Sequence, residues 1–243
     1  MYILLQQFLS VADEARAART FRKLKRHDIR GWALAGGLAL EVHRINRGCK
    51  ASVRALNDID FIAESFEVIP ETLADDFLFR HIHPFDPPGK TLLQSIDAKS
   101  ALRVDVFRAY GAEMQRTSVA DLPFGTIRII SFEDLVARTA RLSLDLAKND
   151  PTPSVHVTDF LRLAELGEPV EIETVWLDHR KPWHPATFAE ASALLKELIP
   201  THQHLLIRRG YSKDTESVCP RCKGTAAFRF ADPKVVLSLL GYC

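Results

Sequence analysis

Apolar positions along the chain repeat first with a helical and then with a strand period. Leu4, Phe8, Val11 and Ala15 recur at helical spacing and end in the basic run Arg22, Lys23, Lys25, Arg26 and His27, which predicts an amphipathic helix over 2–27. Gly31-Trp32-Ala33-Leu34-Ala35 is a short apolar run closed by Gly36-Gly37, the pattern of a buried strand ending in a tight turn. Leu38, Val42 and Ile45 then restore the i, i+4, i+7 spacing, so a helix follows the two glycines directly.

Beyond a polar, basic segment from Arg47 to Arg54, polar and apolar residues alternate over Leu56–Ile62, the signature of a half-buried strand. Further extended runs are expected at Phe77–Ile82, Leu92–Ile96, Leu102–Phe107 and Thr126–Ile130, with the loop Pro84–Lys90 between the first two. Ser131-x-x-Asp134 reads as a helix start, and 131–200 is mostly helical, broken by Pro151, Pro153, Pro169, Pro182 and Pro185, with a second capping signature at Thr187–Glu190. A last short helix is opened by Asp232-Pro233. The expected architecture is α/β (α+β): a mixed-sheet domain over 1–128 with flanking helices, then a mainly helical domain over 129–243.

Composition narrows the classes this pattern allows. In 243 residues, 32 Lys+Arg stand against 31 Asp+Glu, a net charge of +1, so no strong electrostatic footprint for nucleic acid is present and a generic mixed surface is expected. The basic residues Arg208, Arg209, Arg221, Lys223 and Arg229 form the alternative, a basic C-terminal surface for RNA or an acidic partner. No run of about 18 apolar residues occurs, and the early Gln6, Gln7, Asp13 and Glu14 interrupt what would be a signal-peptide core, so a cytoplasmic protein without membrane contact is expected. Four cysteines at 49, 219, 222 and 243 are too few for a disulfide framework.

The candidate chemistry lies in the strands. Alternation places Asp58 and Asp60 on one face of their strand while Ile59 and Phe61 take the other. Asp105 occupies the equivalent place among Val104 and Val106. Three like charges on one sheet face repel one another, and hard divalent cations bound together with substrate phosphates relieve that repulsion. Gly36-Gly37 at a helix N-terminus supplies backbone N–H groups for an anion.

Ala35-Gly36-Gly37, Asp58-Ile59-Asp60-Phe61 and Val104-Asp105-Val106 together resemble the signature of the nucleotidyltransferase superfamily with the DNA polymerase β-like catalytic fold. The layout is most similar to the minimal and abortive-infection toxin-type members, through Gly36-Gly37-Leu38-Ala39-Leu40 and the Arg-x-x-x-Asp-x-Asp segment Arg54 to Asp60. The resemblance spans roughly 31–165. It implies transfer of a nucleoside monophosphate from a nucleoside triphosphate, ATP among them, to an acceptor hydroxyl, assisted by two Mg²⁺ ions. Asp58 and Asp60 would bridge the ions, and Asp105 would bind the one that activates the acceptor and help take its proton. Gly36 and Gly37 would hold the β- and γ-phosphates, with Arg54 neutralising developing charge. Toxin-like members commonly carry a lysine on a helix after the sheet and a later aspartate, and Arg138 and Asp159 would fill those places.

The chain departs from the pattern in two places. Leu56 stands where a Ser or Thr is common, removing one phosphate contact, and twenty residues lie between Gly37 and Asp58, which implies an insertion around Gly48–Val53. A module that kept the fold and binds a nucleotide or a partner without turnover is therefore the alternative. Cys219-x-x-Cys222 has the spacing of half a zinc site, with His202, His204 or Cys243 available to complete it, although no second Cys-x-x-Cys exists and a plain turn with reduced thiols is the expected case. His81 and His83 are expected on a surface, and Trp32, Trp176 and Trp183 in packing.

Overall fold

The computed structural model describes residues 7–50, 53–83, 90–167, 169–208, 217–218, 221, 226–227, 230–231 and 233–239. The first helix, α1 (Val11–Leu24), is shorter than its sequence pattern suggests: Ser10 stops it by accepting a hydrogen bond from the Asp13 backbone N–H at 3.1 Å, with Asp13 and Glu14 in the first turn and Arg22 and Lys23 in the last. Phe8 and Leu9, which precede the cap, are buried, and the Phe8 carbonyl accepts from the Arg54 backbone N–H at 3.0 Å.

The chain then forms β1 (Trp32–Ala35), α2 (Gly36–Asn46), β2 (Asp58–Ala63), β3 (Leu78–Arg80), β4 (Leu92–Asp97), β5 (Leu102–Arg108), β6 (Ser118–Leu122) and β7 (Gly125–Ile129). Helix α3 (Phe132–Ser143), the two-residue strand β8 (Thr152–Pro153) and helices α4 (Ser154–Ala164), α5 (Ile172–His179) and α6 (Phe188–Thr201) follow, and then β9 (Leu206–Ile207), β10 (Ser217–Val218), β11 (Ala226–Ala227), β12 (Phe230–Ala231) and α7 (Pro233–Leu239). Eight strands make one mixed sheet in the order β12-β3-β4-β5-β2-β1-β7-β6. The α/β architecture read from the sequence, a mixed sheet with flanking helices and then a mainly helical stretch, is the one observed.

Two strands of this sheet were not anticipated, nor were the two-residue strands β8–β11 outside it. The residues of β6 lack apolar alternation, with only Ala120 and Leu122 buried, and hairpin pairing to β7 through Leu122↔Gly125 organises them. Strand β12 lies across the opposite edge, antiparallel to β3, so a segment from beyond residue 129 joins the sheet built by the first 129 residues.

Strand alternation sorts the sheet into two faces. Ile59 and Phe61 project toward α1, where Phe21 meets Phe61 edge-on at 6.1 Å and Trp32 lies 5.4 Å from the same ring. Asp58, Asp60, Asp105 and Phe107 project to the other face, which carries α2 and α3: Arg138 of α3 lies over the Phe107 ring at 5.7 Å. Helix α2 is pinned there by His43, whose Nε2 donates to the Ile130 carbonyl at 2.8 Å; burial pushes that ring down to about 4, which keeps it neutral.

One residue of α1 fixes where the central strands begin. Arg16 donates to the carbonyls of Leu56 (3.2 Å), Ser100 (2.9 Å) and Ala101 (3.0 Å), just ahead of β2 and β5. Its guanidinium is held in turn by Asp13 at 2.8 Å.

Trp32 and Trp176 are core residues, but Trp183 is 37% exposed, with Lys148 over its ring at 3.9 Å. His81 is buried rather than superficial, two residues after the buried Phe79 of β3. No helix among the described residues is long and apolar enough to cross a membrane.

Candidate active site

The site begins with a parallel pair of strands. In the β2–β5 register Asp60 lies beside Asp105 and Asp58 beside Arg103. The carboxylates of Asp58, Asp60 and Asp105 each present an oxygen, and these oxygens lie within 4.8 Å of one another. At such separations and an effective dielectric of about 20, each pair of full charges repels by roughly 3 kcal/mol. Asp105 is the most buried of the three. Burial pushes its carboxyl up to about 6, the Asp58 charge adds to the rise, and the Arg103 charge and a 3.1 Å bond from Gln94 oppose it. Gln94 is itself held by Arg80 Nη1 at 3.1 Å.

The glycine turn abuts the acids through a second pairing. Antiparallel β1 sets Ala35 opposite Asp60, so the next residue, Gly36, lies against the Asp60 side chain. A Cβ on Gly36 would fall 1.9 Å from Asp60 Oδ2, and its φ of +58° is one that side chains disfavour. A Cβ on Gly37 would fall 2.5 Å from Arg54 Cζ. The first turn of α2 carries no acidic residue and Ala35 provides no side-chain cap, so no charge within that turn opposes an anion at its amide end.

Arg54 is held over that turn by a buried charge cluster. Its Nη1 donates to the Gly37 carbonyl at 3.3 Å and lies 3.8 Å from Glu41, and its Nη2 lies 3.5 Å from Asp159 of α4. Glu41 is fully buried, with Arg162 at 2.6 Å and Arg44 at 4.0 Å. Three guanidinium groups thus meet the buried carboxylates of Glu41 and Asp159, with Arg44 also 3.7 Å from the exposed Glu165, and Arg54 is the one of them that lies against the glycines. Burial raises the Asp159 carboxyl, and Arg54 and Arg162 pull against that rise.

Of the residues singled out from the sequence, Asp58, Asp60, Asp105, Gly36, Gly37 and Arg54 come together, with Asp159 behind Arg54. Arg138 stands nearby on α3, where Asp60 is among the charges that hold its proton, but its guanidinium is engaged by Glu113 through bonds of 3.1 and 2.9 Å. Leu56 is buried ahead of β2 and offers only its backbone to polar partners. Cys219, Cys222 and Cys243 lie outside the described residues, as do Arg209, Lys223 and Arg229.

Sequence reasoning passed over Arg103, Gln94 and Glu41. Arg103 was within reach, since it lies two residues before Asp105 and therefore on the same face. Glu41 carried no such signal, for an acid in the middle of an amphipathic helix normally faces water.

A second buried cluster, Glu113, Asp134 and His179, also gathers ligand-type atoms. Arg116 takes Asp134 through two bonds of 2.9 and 2.6 Å, and Arg138 takes Glu113. The arginines neutralise this donor set, and it ties α3 to α5 as an ion network.

No protein-family model and no curated protein matches the chain. Among solved structures, the antibiotic-resistance factor ANT(2'')-Ia overlaps 80% of this chain and 100% of its own at 12% identity and a TM-score of 0.46. An antigenic nucleotidyltransferase-like protein from Paracoccidioides brasiliensis overlaps 82% and 96% at 14% identity and a TM-score of 0.41. The lincosamide antibiotic adenylyltransferase LnuA overlaps 66% and 99% at 15% identity and a TM-score of 0.38. Overlaps this loose carry no functional weight by themselves.

Proposed function

We propose that this chain is a divalent-metal-dependent nucleotidyltransferase, moving a nucleoside monophosphate from a nucleoside triphosphate to a hydroxyl-bearing acceptor. One observation carries the reading: three carboxylates on adjacent parallel strands converge beside a glycine turn that only a residue without a side chain can form, with Arg54 lying across it.

The donor set suits Mg²⁺. It consists of hard carboxylate oxygens, and the buried Asp105 Oδ1 accepts no aligned hydrogen bond, its near neighbour being Arg103 Nε at 2.9 Å. Asp58 and Asp60 would hold both ions and Asp105 one of them. Bound there, the ions would supply charge stabilisation to the phosphates and activate the attacking hydroxyl.

The chain's own groups account for the rest. The α2 amide end and Arg54 would receive the β- and γ-phosphates, and Asp105 is the carboxylate placed to accept the acceptor's proton. The acceptor oxygen bonds to the α-phosphorus as the bond to pyrophosphate breaks. The division into a catalytic unit over 1–128 and a helical unit over 129–243 belongs to this reading, with Asp159 and Arg162 of α4 reaching from the second to the first. A toxin role is the version in which the acceptor is an RNA end or a protein side chain; antibiotic modification is the small-molecule version. A structural Zn²⁺ at Cys219 and Cys222 would be separate from this chemistry.

The competing reading, nucleotide binding without turnover, is favoured by Leu56, which replaces a phosphate-binding hydroxyl with a buried apolar side chain. Calorimetric titration of the four ribonucleoside triphosphates, with and without Mg²⁺, on the wild type and on Asp58→Ala/Asp60→Ala tests both. Metal-dependent binding lost in the double variant, with pyrophosphate released in a mass-shift screen of hydroxylated acceptors, is the expected result. Binding without release across the screen favours the module, and no binding by the folded wild type overturns the reading.

A further inference from the structure

The acid cluster contains its own cation. Arg103 lies beside Asp58 in the parallel register and two residues before Asp105 on the same strand, so alternation and pairing together bring its side chain over the acids. Its Nη2 is in close contact with Asp58 Oδ2, and its Nε lies 2.9 Å from Asp105 Oδ1, without the alignment that would make a hydrogen bond to that oxygen. The guanidinium therefore spans the two carboxylates that a metal ion shared between Asp58 and Asp105 would have to span.

Charge counting gives the consequence. Three ionised aspartates carry −3 and Arg103 returns +1, so the cluster offers an incoming ion less attraction than its three carboxylates suggest. An ion bound to both Asp58 and Asp105 also has to displace a charge-assisted contact. The guanidinium has an alternative partner of the right kind, because a triphosphate delivered to the adjacent glycine turn brings acceptor oxygens that match its planar donors.

We propose that Arg103 is a built-in counter-cation that keeps divalent ions off the acid cluster until a nucleoside triphosphate arrives, and then turns from the carboxylates to the phosphates. Metal and nucleotide thereby enter together, and the apo protein holds its acids partly neutralised without a bound ion. The inference rests on the proposed nucleotidyl-transfer reading and adds an order of binding to it. Arg103 is a positioning and gating residue here, and its role is read from binding, not from turnover.

The test is Mn²⁺ binding in the absence of nucleotide, followed by electron paramagnetic resonance on the full chain as wild type, Arg103→Met and Arg103→Lys. Arg103→Met is expected to bind Mn²⁺ at least tenfold more tightly than the wild type, and Arg103→Lys, which keeps the charge, to remain within a few-fold of it. Adding a non-hydrolysable triphosphate should narrow the gap between the wild type and Arg103→Met. Arg103→Gln replaces Arg103→Met should the latter fail to fold, with thermal unfolding in a chelator as the check. Equal or weaker Mn²⁺ binding by the uncharged variant overturns the gating role while leaving the nucleotidyltransferase reading in place. Absence of Mn²⁺ binding from every variant, with or without triphosphate, overturns both.

Discussion

Two adjacent glycines separate stability from function at the scale of single residues. Gly36 has a positive φ and lies against Asp60, so Gly36→Ala meets both backbone strain and a carboxylate, and is expected to lower stability by about 2 kcal/mol in urea unfolding. Gly37 has an ordinary helical conformation, where alanine is favoured by roughly 0.5–1 kcal/mol, but its Cβ would meet the Arg54 guanidinium. Gly37→Ala should therefore hold or raise the unfolding midpoint while weakening triphosphate binding about tenfold. Loss of both together would mean that Arg54 is not displaced.

At the scale of elements, legibility followed periodicity. Apolar alternation showed β2 and β5, Gly-Gly showed the start of α2, and Ser131-x-x-Asp134 showed the start of α3, where the Ser131 hydroxyl accepts from the Asp134 N–H at 3.0 Å. The same aspartate's other role was hidden, because its partners Arg116 and His179 come from distant parts of the chain. Burial alone would raise the Asp134 carboxyl, but the two bonds from Arg116, with those of His179 and Ser131, hold it down at about 2. A carboxyl lowered in the folded state contributes stability above its unfolded value near 4 and loses it as pH falls toward 2. The stability gap between the wild type and Asp134→Asn should thus be about 2 kcal/mol or more at pH 7 and close between pH 4 and pH 2, as read by urea midpoints across that range. Glu41 stayed unreadable for the same reason, since only tertiary packing brings Arg44, Arg54 and Arg162 around it.

For the whole molecule, the returning segment matters most. Strand β12 covers the β3 edge, and Val236 and Leu237 of α7 are buried, so one end of the sheet is completed by residues far along the chain. Removing 230–243 uncovers that edge and forfeits two buried aliphatic side chains, a loss of roughly 3–5 kcal/mol. The truncated chain should unfold at lower urea. If it folds, it should keep the proposed Mg²⁺-dependent triphosphate binding, because β12 is separated from β5 by β3 and β4. Nothing in the local pattern of 230–231 marked it as a sheet strand, since two residues are too few to show a period.

The contacts of Arg16 give the molecule a property that its carboxylates alone do not reveal. One guanidinium grips the backbone just ahead of both acid-bearing strands, so the spacing between Asp58 and Asp105 is set partly from α1, on the opposite side of the sheet. Choice among ions of different radius can then drift through substitutions in that helix while every ligand stays in place. Variation along α1 becomes a tuning screw for the proposed metal site, and a comparison of related chains that inspects only the aspartates would miss it.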